Sequence, residues 1–301
     1  MADGILNINK PVGVASFAVV RRVKRLTGVK RVGHAGTLDP IAGGVLPICL
    51  GRATRIVEYL VGQPKTYHAS ARFGEATDTH DSEGKVVATA ELDDLTRERV
   101  VAALPGFVGE IQQLPPMYSA LKYKGQPLYS YARAGKEVPR EERTVSVYRL
   151  EMRRFEPPEM ELEMECGRGA YVRTLVHDLG QALGCGAHMT GLTRLQSGPF
   201  TLKDAIDLET LEAAVESGAW EYLLQPVDRV LETWEAALLD EAHSRDVRQG
   251  RLVALAPVRD EVLNTPPETP CRAYSLDGDF LAILSSRGAG RWQPERVFVP
   301  Q

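Results

Sequence analysis

The chain has 301 residues, of which 44% are hydrophobic and 25% are charged, a balance typical of a soluble globular protein with one large domain or two. It has no apolar run near the roughly 20 residues that a membrane span needs, and its N-terminus lacks the layout of a signal peptide. Four scattered cysteines without a Cys-x-x-Cys pair favour neither a disulfide framework nor a zinc site. We therefore expect a cytoplasmic protein without a membrane partner.

The net charge of −4 conceals an uneven distribution of charge along the chain. Residues 4–57 carry nine basic residues and one acid, whereas residues 204–246 carry twelve acids and two basic residues. This polarity is compatible with a protein that places one face on RNA. The alternative is an ordinary charged surface that is uneven by chance.

The first segments predict a strand and a basic helix. Ile5–Asn9 alternates apolar and polar residues, as a strand does. Ser16 is a good N-cap for a helix that runs to about Gly28. Lys10, in the turn between the two elements, is either structural or faces phosphate. The predicted buried side of the helix holds Phe17, Val20 and Val23.

The most informative stretch is the loop Gly33–Pro47, which holds four glycines and two prolines and is neither helix nor ordinary strand. Within it, Asp39 is the only carboxylate between residues 4 and 57. A lone carboxylate among basic residues should stay ionised, which suits a nucleophile better than a general acid. The alternative is a turn aspartate that caps its own backbone.

The region after the loop predicts a strand, a helix and a second strand that carries Tyr67 near its start. The segment Thr77–Gly84 holds one histidine and three carboxylates, but its spacing does not match a calcium loop, so no metal is expected. Asp81 is a competing catalytic carboxylate that ranks below Asp39. The three predicted elements are Val45–Leu50, Ala53–Val61 and Lys65–Phe73.

The stretch Leu114–Tyr129 interleaves tyrosines with lysines and turn residues. This composition suits a mobile arm that contacts RNA by charge, through Lys122 and Lys124, and by stacking. The alternative is a long surface loop with ordinary solvating charge. The later predicted elements are a helix over Leu128–Gly135, a hairpin of Thr144–Phe155 and Met160–Cys166, and helices over Thr174–Leu183 and Leu208–Ser217. After about Glu235 the predicted elements are a Pro-rich loop at Asn264–Pro270 and short strands at Gly250–Val253, Cys271–Leu276, Phe280–Leu284 and Arg296–Val299.

Several of these segments resemble the motifs of the TruB family of pseudouridine synthases, enzymes that isomerise uridine 55 in the T loop of tRNA. The resemblance covers residues 4–200 strongly and residues 236–301 loosely. It is carried by Gly-His-Ala-Gly-Thr-Leu-Asp-Pro at residues 33–40, Lys-Pro-x-Gly-x-x-Ser at 10–16, Tyr-Ser-Ala-Leu-Lys at 118–122 and Gly-x-Tyr-Val-Arg-Thr-Leu at 169–175.

The resemblance implies an α+β fold with a central mixed, largely antiparallel sheet flanked by helices. The catalytic domain would span residues 1–235 and include an RNA-gripping insertion at about 112–143. Residues 236–301 would form a small PUA-like β-barrel that binds RNA.

The resemblance also implies roles for the site residues. Asp39 would start the reaction, and Arg173 would pair with it, since an arginine fork can hold a carboxylate by two parallel hydrogen bonds. Tyr67 would stack on the target uracil and is a candidate to move the C5 proton. The implied substrate-binding residues are Tyr171 and Leu192 in the uracil pocket, His34 in the gap left by the flipped base, and Lys10, Lys122 and Lys124.

The reaction gains and loses no atoms, so no cofactor and no metal are expected, and the partner is tRNA bound by a monomer. Asp39 could add to C6 of the uracil, attack C1′ or remove the C2′ proton, and the sequence leaves the three open. The competing interpretations are a non-catalytic protein that binds or folds tRNA, a pseudouridine synthase that depends on a guide RNA, and a metal-dependent hydrolase that uses His80 and Asp81.

Overall fold

The computed structural model describes residues 2–119, 121–255 and 265–298 of the chain. Its α-helices are α1 Ser16–Thr27, α2 Val57–Gly62, α3 Arg97–Ala103, α4 Leu128–Arg133, α5 Val172–Leu183, α6 Leu208–Glu216 and α7 Glu241–Arg248. Its strands are β1 Gly4–Lys10, β2 Val32–His34, β3 Ala42–Leu50, β4 Lys65–Phe73, β5 Glu75–Thr77, β6 Val86–Thr89, β7 Gly109–Gln113, β8 Lys122–Tyr123, β9 Gln126–Pro127, β10 Arg143–Glu156, β11 Glu159–Cys166, β12 Ala187–Ser197, β13 Phe200–Thr201, β14 Ala236–Leu239, β15 Val253–Ala254, β16 Pro270–Ser275, β17 Phe280–Ser286 and β18 Arg291–Val297.

A nine-stranded sheet with the order β1-β3-β12-β4-β11-β10-β7 forms the centre of the molecule, with β2 beside β3 and β13 beside β12. All neighbouring strands are antiparallel except β12 and β3, which run parallel. The expected α+β fold with a mixed, largely antiparallel sheet is therefore confirmed. None of the described helices is long and apolar enough to cross a membrane.

The hydrophobic core lies on both faces of this sheet. On one face, side chains of α1, α5 and α6 pack against residues of β1, β3, β4 and β11. On the other, Ile5 and Val45 pack against residues of the segment from Gly51 to α2 and against Ile283 of the C-terminal sheet. Strands β1 and β3 are consequently buried on both faces, which a near-continuous apolar run indicates better than alternation does.

The parallel contact between β12 and β3 fixes the position of the Asp39 loop. In this register Leu192 lies beside Ala42 and Arg194 beside Gly44. A Cβ on Gly44 would stand 2.3 Å from the carbonyl oxygen of Arg194, and the φ of Gly44 is +95°. Only glycine fits there, so the end of the loop is locked against β12.

The segment between β7 and β10 leaves the sheet and returns to it. Arg143 pairs with Gln113 in the antiparallel ladder, so the chain departs and re-enters at one point. The excursion contains the β8–β9 hairpin and α4. Lys124 and Gly125 both have positive φ, as a two-residue type I′ hairpin turn requires. Ala120, within the Tyr-Ser-Ala-Leu-Lys motif, lies outside the described residues.

The C-terminal strands form a separate five-stranded sheet with the order β14-β16-β17-β18-β15. Strands β14 and β16 run parallel, and the remaining pairs are antiparallel. This sheet is consistent with the expected PUA-like module. The sequence did not predict β14, and parts of the expected loop Asn264–Pro270 and of the last strand lie outside the described residues.

Three local expectations for the helices are wrong. Ser16 does not cap α1; Ala15 is the N-cap, and the Ser16 hydroxyl instead hydrogen-bonds the backbone of Leu38. Phe17 is 66% exposed rather than buried, because Val19, Val20 and Val23 face the core. Helix α5 begins at Val172, two residues before the expected start, which places Arg173 in its first turn.

Candidate functional site

Asp39 lies in the loop between β2 and β3, and hydrogen bonds fix the backbone on both sides of it. The Ser16 hydroxyl donates to the Leu38 carbonyl and accepts from the Leu38 amide, both at 2.8 Å. The amide of Gly13 donates to the carbonyl of Pro40 at 2.8 Å. The turn after β1 and the start of α1 therefore hold the Asp39 loop in place.

Arg173 contacts two carboxylates at once. Its Nη2 lies 3.1 Å from Oδ2 of Asp39, and its Nη1 donates to Oδ2 of Asp81 at 3.0 Å. Nη2 also donates to the carbonyl of Tyr118, at 2.5 Å. The structure thus brings Asp39 and Arg173 together, but the expected fork of two parallel hydrogen bonds on Asp39 is wrong, because Arg173 divides its donors among three partners.

Asp81, the second carboxylate bound to Arg173, is almost fully buried. Its side chain is 3% exposed, whereas 36% of the Asp39 side chain is exposed. Oδ1 of Asp81 accepts from the Thr79 hydroxyl at 2.6 Å and from the Glu83 amide at 3.1 Å. A carboxylate with both oxygens occupied and almost no exposure is poorly placed to meet a substrate, so the competing catalytic carboxylate positions Arg173 instead.

A cavity of about 330 Å³ opens beside Asp39. Its walls come from the Asp39 loop, β4, β12 and the segment before α5. Four of the residues expected in the site besides Asp39 line this cavity: Tyr67, Tyr171, Leu192 and Arg173. The expected members from distant parts of the sequence therefore share one concave surface.

Burial and charge act in opposite directions on Asp39. Burial raises the pKa of Asp39, Arg173 lowers this pKa, Asp81 raises it and Lys10 lowers it, with a net rise. Of the nine basic residues near Asp39 in sequence, Lys10 is the one among these causes. The nearest cation, Arg173, comes from far along the chain.

Tyr67 and Tyr171 are both kept protonated by their surroundings. Burial raises the pKa of Tyr67, and the charge of Arg194 and its hydrogen bond to the Tyr67 side chain oppose that rise. Burial also raises the pKa of Tyr171. The backbone of Tyr171 is fixed by Gln113, whose side chain accepts from its amide at 3.0 Å and donates to its carbonyl at 3.2 Å.

Lys10 does not face a substrate phosphate. Its side chain is 1% exposed, and Nζ donates to the carbonyls of Pro11 at 2.9 Å and Val14 at 2.5 Å. Burial lowers the pKa of Lys10 to about 8. The expected substrate-binding role of Lys10 is therefore wrong. Lys10 is structural, and its ammonium group stabilises the turn next to the Asp39 loop.

The other expected RNA-contacting residues lie outside the cavity walls. His34 ends β2 half-buried, and burial lowers its pKa, which keeps the ring neutral. Lys122 and Lys124 are exposed on the β8–β9 hairpin, and Nζ of Lys124 lies 5.4 Å from the ring centroid of Tyr123. These lysines are free to meet phosphate, since neither forms an ion pair within the described part of the chain.

Sequence reasoning missed Arg194 and Lys65, two buried basic residues in the wall of the cavity. The available signal was the period of two in β12, which places Arg194 on the same face as Leu192. It also missed the contact of the Tyr118 carbonyl with Arg173, which no side-chain pattern reports. In residues 2–119, 121–255 and 265–298, no three His, Cys, Asp or Glu side chains are grouped to hold a metal ion.

A known structure shares this fold. The chain in "Crystal Structure of a Cbf5-Nop10-Gar1 Complex" superimposes with a TM-score of 0.75 and 26% identity, covering 99% of this chain and 85% of that one. A second, "Structure of H/ACA RNP bound to a substrate RNA containing 2'-deoxyuridine", gives a TM-score of 0.74 at 24% identity and covers 99% and 85% of the two chains. The chain therefore shares the architecture of these two chains over nearly its whole length.

Sequence comparisons agree with the fold. A relative from Dehalococcoides mccartyi (strain CBDB1), named tRNA pseudouridine synthase B, is 42% identical over 99% of this chain and 97% of its own length. A relative of the same name from Thiobacillus denitrificans is 44% identical over 99% and 96%. The model for the TruB family pseudouridylate synthase N-terminal domain matches residues 24–172, and that for the tRNA pseudouridylate synthase B C-terminal domain matches residues 173–238. The chain belongs to the TruB family of pseudouridine synthases.

Proposed function

We propose that this protein isomerises uridine 55 in the T loop of tRNA to pseudouridine, with Asp39 as the group that starts the reaction. The observation that carries the proposal is the Asp39 carboxylate at the cavity wall, 3.1 Å from Nη2 of a nearly buried Arg173. The names of the relatives support tRNA as the substrate. The T loop and its uridine follow from the family resemblance.

The target uridine leaves the stack of the folded T loop and enters the cavity. A volume of about 330 Å³ lined by Tyr67, Tyr171 and Leu192 offers flat and apolar contacts for one pyrimidine. Extrusion of a base costs a few kcal/mol, and stacking on Tyr67 repays part of that cost. His34, five residues before Asp39, fills the gap in the loop with its neutral ring.

Asp39 acts as an anion whichever atom it meets. It attacks C1′ or adds to C6 as a nucleophile, or removes the C2′ proton as a base. In each case the N1–C1′ bond breaks, the uracil turns and C5 joins C1′. Asp39 is released unchanged, and the proton lost from C5 is balanced by one that N1 gains. Tyr67, on the cavity wall, is the candidate to move that proton.

The segment at about 112–143 grips the T stem-loop, and residues 236–301 form a second RNA-binding domain beside the catalytic domain of residues 1–235. Exposed Lys122 and Lys124 on the β8–β9 hairpin support the first role. The carbonyl of Tyr118 accepts from Arg173, so the base of the gripping segment contacts the site itself. The enzyme works as a monomer in the cytoplasm.

The direct experiment incubates the purified chain with an unmodified T stem-loop RNA and maps pseudouridine by position. We expect product at the uridine equivalent to position 55 and none in a stem-loop with cytidine there. The same assay separates the enzyme from a tRNA-binding protein without activity, which would bind the RNA and leave every uridine unchanged.

A guide-RNA-dependent enzyme is the second candidate, because the superimposed structures are complexes of several components. Identities of 42% and 44% to relatives named tRNA pseudouridine synthase B, against 24% and 26% to those structures, favour the enzyme that works alone. Product formed from the stem-loop substrate without a guide RNA or a partner protein would favour the enzyme that works alone, and product that requires them would favour the guide-RNA-dependent enzyme. The metal-dependent hydrolase has little support, since both oxygens of Asp81 are occupied.

A further inference from the structure

Arg194 is a buried cation that the proposed mechanism does not yet use. It lies on β12 directly opposite Tyr67 on β4, so the two side chains share a face of the sheet. Arg194 is 1% exposed and contributes to the wall of the cavity that also holds Asp39. Its position therefore places a guanidinium group next to the proposed seat of the uracil.

Two of the three nitrogens of this guanidinium bind backbone carbonyls. Nε donates to the carbonyl of Val45 at 2.6 Å, and Nη2 donates to that of Gly36 at 3.1 Å. The third, Nη1, lies 3.3 Å from the point where a Cβ on Gly36 would stand. Gly36 and Arg194 both line the cavity, and Arg194 also hydrogen-bonds the Tyr67 side chain, so the guanidinium lies at the wall of the ligand space.

The positive charge of Arg194 has no ion-pair partner in the part of the chain that the structure describes, where every ion pair within 4.0 Å involves other residues. Carbonyl groups satisfy donors but do not neutralise a charge. The field of Arg194 reaches its neighbours: it adds to the burial that lowers the pKa of Lys65 to about 8 and also acts to lower that of His34. A buried cation without a counter-ion is costly, so its retention needs a reason.

One reason is structural, because Arg194 ties Gly36 to Val45 across the Asp39 loop. That role needs two N–H donors but no charge. A neutral side chain with an amide could supply donors at a smaller desolvation cost. The hydrogen bonds to the loop therefore do not explain why this side chain is charged. The charge indicates an anion that occupies the cavity during the reaction.

The chemistry supplies such an anion on every route open to Asp39. When C1′ is attacked, or when the C2′ proton passes to Asp39, the N1–C1′ bond breaks and its electron pair stays on the uracil, delocalised over N1 and the ring oxygens. When Asp39 adds to C6, the electron pair of the C5–C6 bond moves toward C4 and its oxygen. In all three cases negative charge develops on the uracil ring.

We propose that Arg194 is a catalytic residue whose guanidinium, at the cavity wall, binds the anionic uracil and stabilises it while the base is detached or activated. The inference rests on the proposed function, since it assumes that uracil occupies this cavity. A preorganised donor aimed at developing charge in a water-poor site needs no rearrangement during the reaction. Arg194 then complements Arg173, which serves the nucleophile rather than the base.

The first test compares Arg194→Gln and Arg194→Lys with the unaltered protein under single-turnover conditions, with melting temperature and RNA binding measured alongside. We expect a fall of about 100-fold in the rate for Arg194→Gln, by analogy with the loss of one charge-stabilising donor, and of about tenfold for Arg194→Lys, which keeps the charge. RNA affinity should stay within about threefold in both, since the free uracil is neutral. Equal losses in the two variants would mark a structural staple and overturn the proposal.

The second test varies the stability of the anion itself. Fluorine at C5 withdraws electrons and stabilises the uracil anion, so a stem-loop with 5-fluorouridine at the target should depend less on Arg194. We expect the defect of Arg194→Gln, measured as disappearance of 5-fluorouridine from nuclease digests, to shrink at least about threefold relative to uridine. If that variant does not fold, Arg194→Lys should show the same narrowing. An unchanged defect contradicts the proposal.

A third measurement separates the uracil anion from the later proton transfer. If Arg194 served Tyr67 instead, the variant would become slow at removal of the C5 proton, and deuterium at C5 would lower its rate. We expect no isotope effect in Arg194→Gln, and a clear one would overturn the proposal. Conversion of uridine by the unaltered protein is the control, and its absence would refute the proposed function. If the unaltered protein converts uridine and Arg194→Gln converts it at the same rate, only this inference is refuted.

Discussion

The substitution Asp81→Asn should remove the support of Arg173 while leaving the catalytic carboxylate intact. The new side chain could still accept from the Thr79 hydroxyl through its amide oxygen, but its NH₂ group would then face Nη1 of Arg173, donor against donor. The side chains of Asp81 and Arg173 are 3% and 5% exposed, so water cannot replace the lost contact. Breaking a buried ion pair of this kind costs about 3 kcal/mol, which corresponds to a fall of roughly 5 to 10 °C in melting temperature.

The same substitution should change catalysis in a way that lost stability alone would not. We expect the single-turnover rate at 25 °C, where the variant remains folded, to fall about 100-fold, because Arg173 no longer holds Asp39 in its reactive orientation. Asp81 raises the pKa of Asp39, so its replacement lowers that pKa. If Asp39 acts as an anion, as we propose, the acid limb of the residual activity should move to lower pH.

The assay combines thermal melting with pH–rate profiles on a T stem-loop RNA. Asp178→Asn on α5 is the matched control, because burial and Glu142 raise the pKa of Asp178 to about 6. The same chemical change there removes an unfavourable charge and should stabilise the protein or leave it unchanged. Loss of stability in Asp178→Asn equal to that in Asp81→Asn, or an acid limb that stays in place in the latter, would refute the reasoning.

Three further predictions concern the turn behind the site, the arm and the loop. Burial lowers the pKa of His80 to about 3, so its ring is neutral in the folded protein, whereas in the unfolded chain it binds a proton below about pH 6.5. Lowering the pH from 7 to 5 should therefore reduce the free energy of unfolding of the unaltered protein by about 2 kcal/mol more than that of His80→Asn. Parallel pH–stability curves of the two proteins from urea unfolding would contradict this. Changing both Lys122 and Lys124 to alanine should weaken RNA binding and reduce the slope of log affinity against log salt by roughly 1 to 2, and an unchanged slope would show that the arm does not meet phosphate. Gly44→Ala should destabilise the protein far more than Gly13→Ala in thermal melts, because both have positive φ but only the first Cβ meets backbone, at 2.3 Å; equal losses would show that strain alone matters.

The sequence predicted elements whose periodicity is local. The antiparallel hairpin of β10 and β11 is confirmed, because alternation in both strands encodes it directly. The parallel pairing of β12 with β3 was not predicted, since strands far apart in sequence carry no mark of their neighbour. Phe17 was misplaced because its apolar character fits a core helix, whereas the fold turns that side outward.

Site residues that lie in a recognisable sequence motif could be predicted. Contacts between residues far apart in the sequence could not. Asp39 stands out as a lone carboxylate in a glycine-rich loop, and Arg173 stands in a motif. Their shared neighbour Asp81 was interpreted as a competitor, because carboxylate chemistry is visible in a sequence but burial is not. The prediction for Lys10 was wrong for the same reason, because only the structure shows that its ammonium group donates to backbone carbonyls of its own turn.

We propose that the charge of the Asp39 carboxylate, and not its shape, starts the conversion of uridine. The most direct measurement is single-turnover mapping of pseudouridine in a T stem-loop RNA with Asp39→Asn beside the unaltered protein, together with RNA affinity by filter binding. We predict no pseudouridine from Asp39→Asn, with RNA affinity retained within about tenfold, because the amide keeps the shape and loses the anion. Pseudouridine formed by Asp39→Asn at the rate of the unaltered protein would contradict the account.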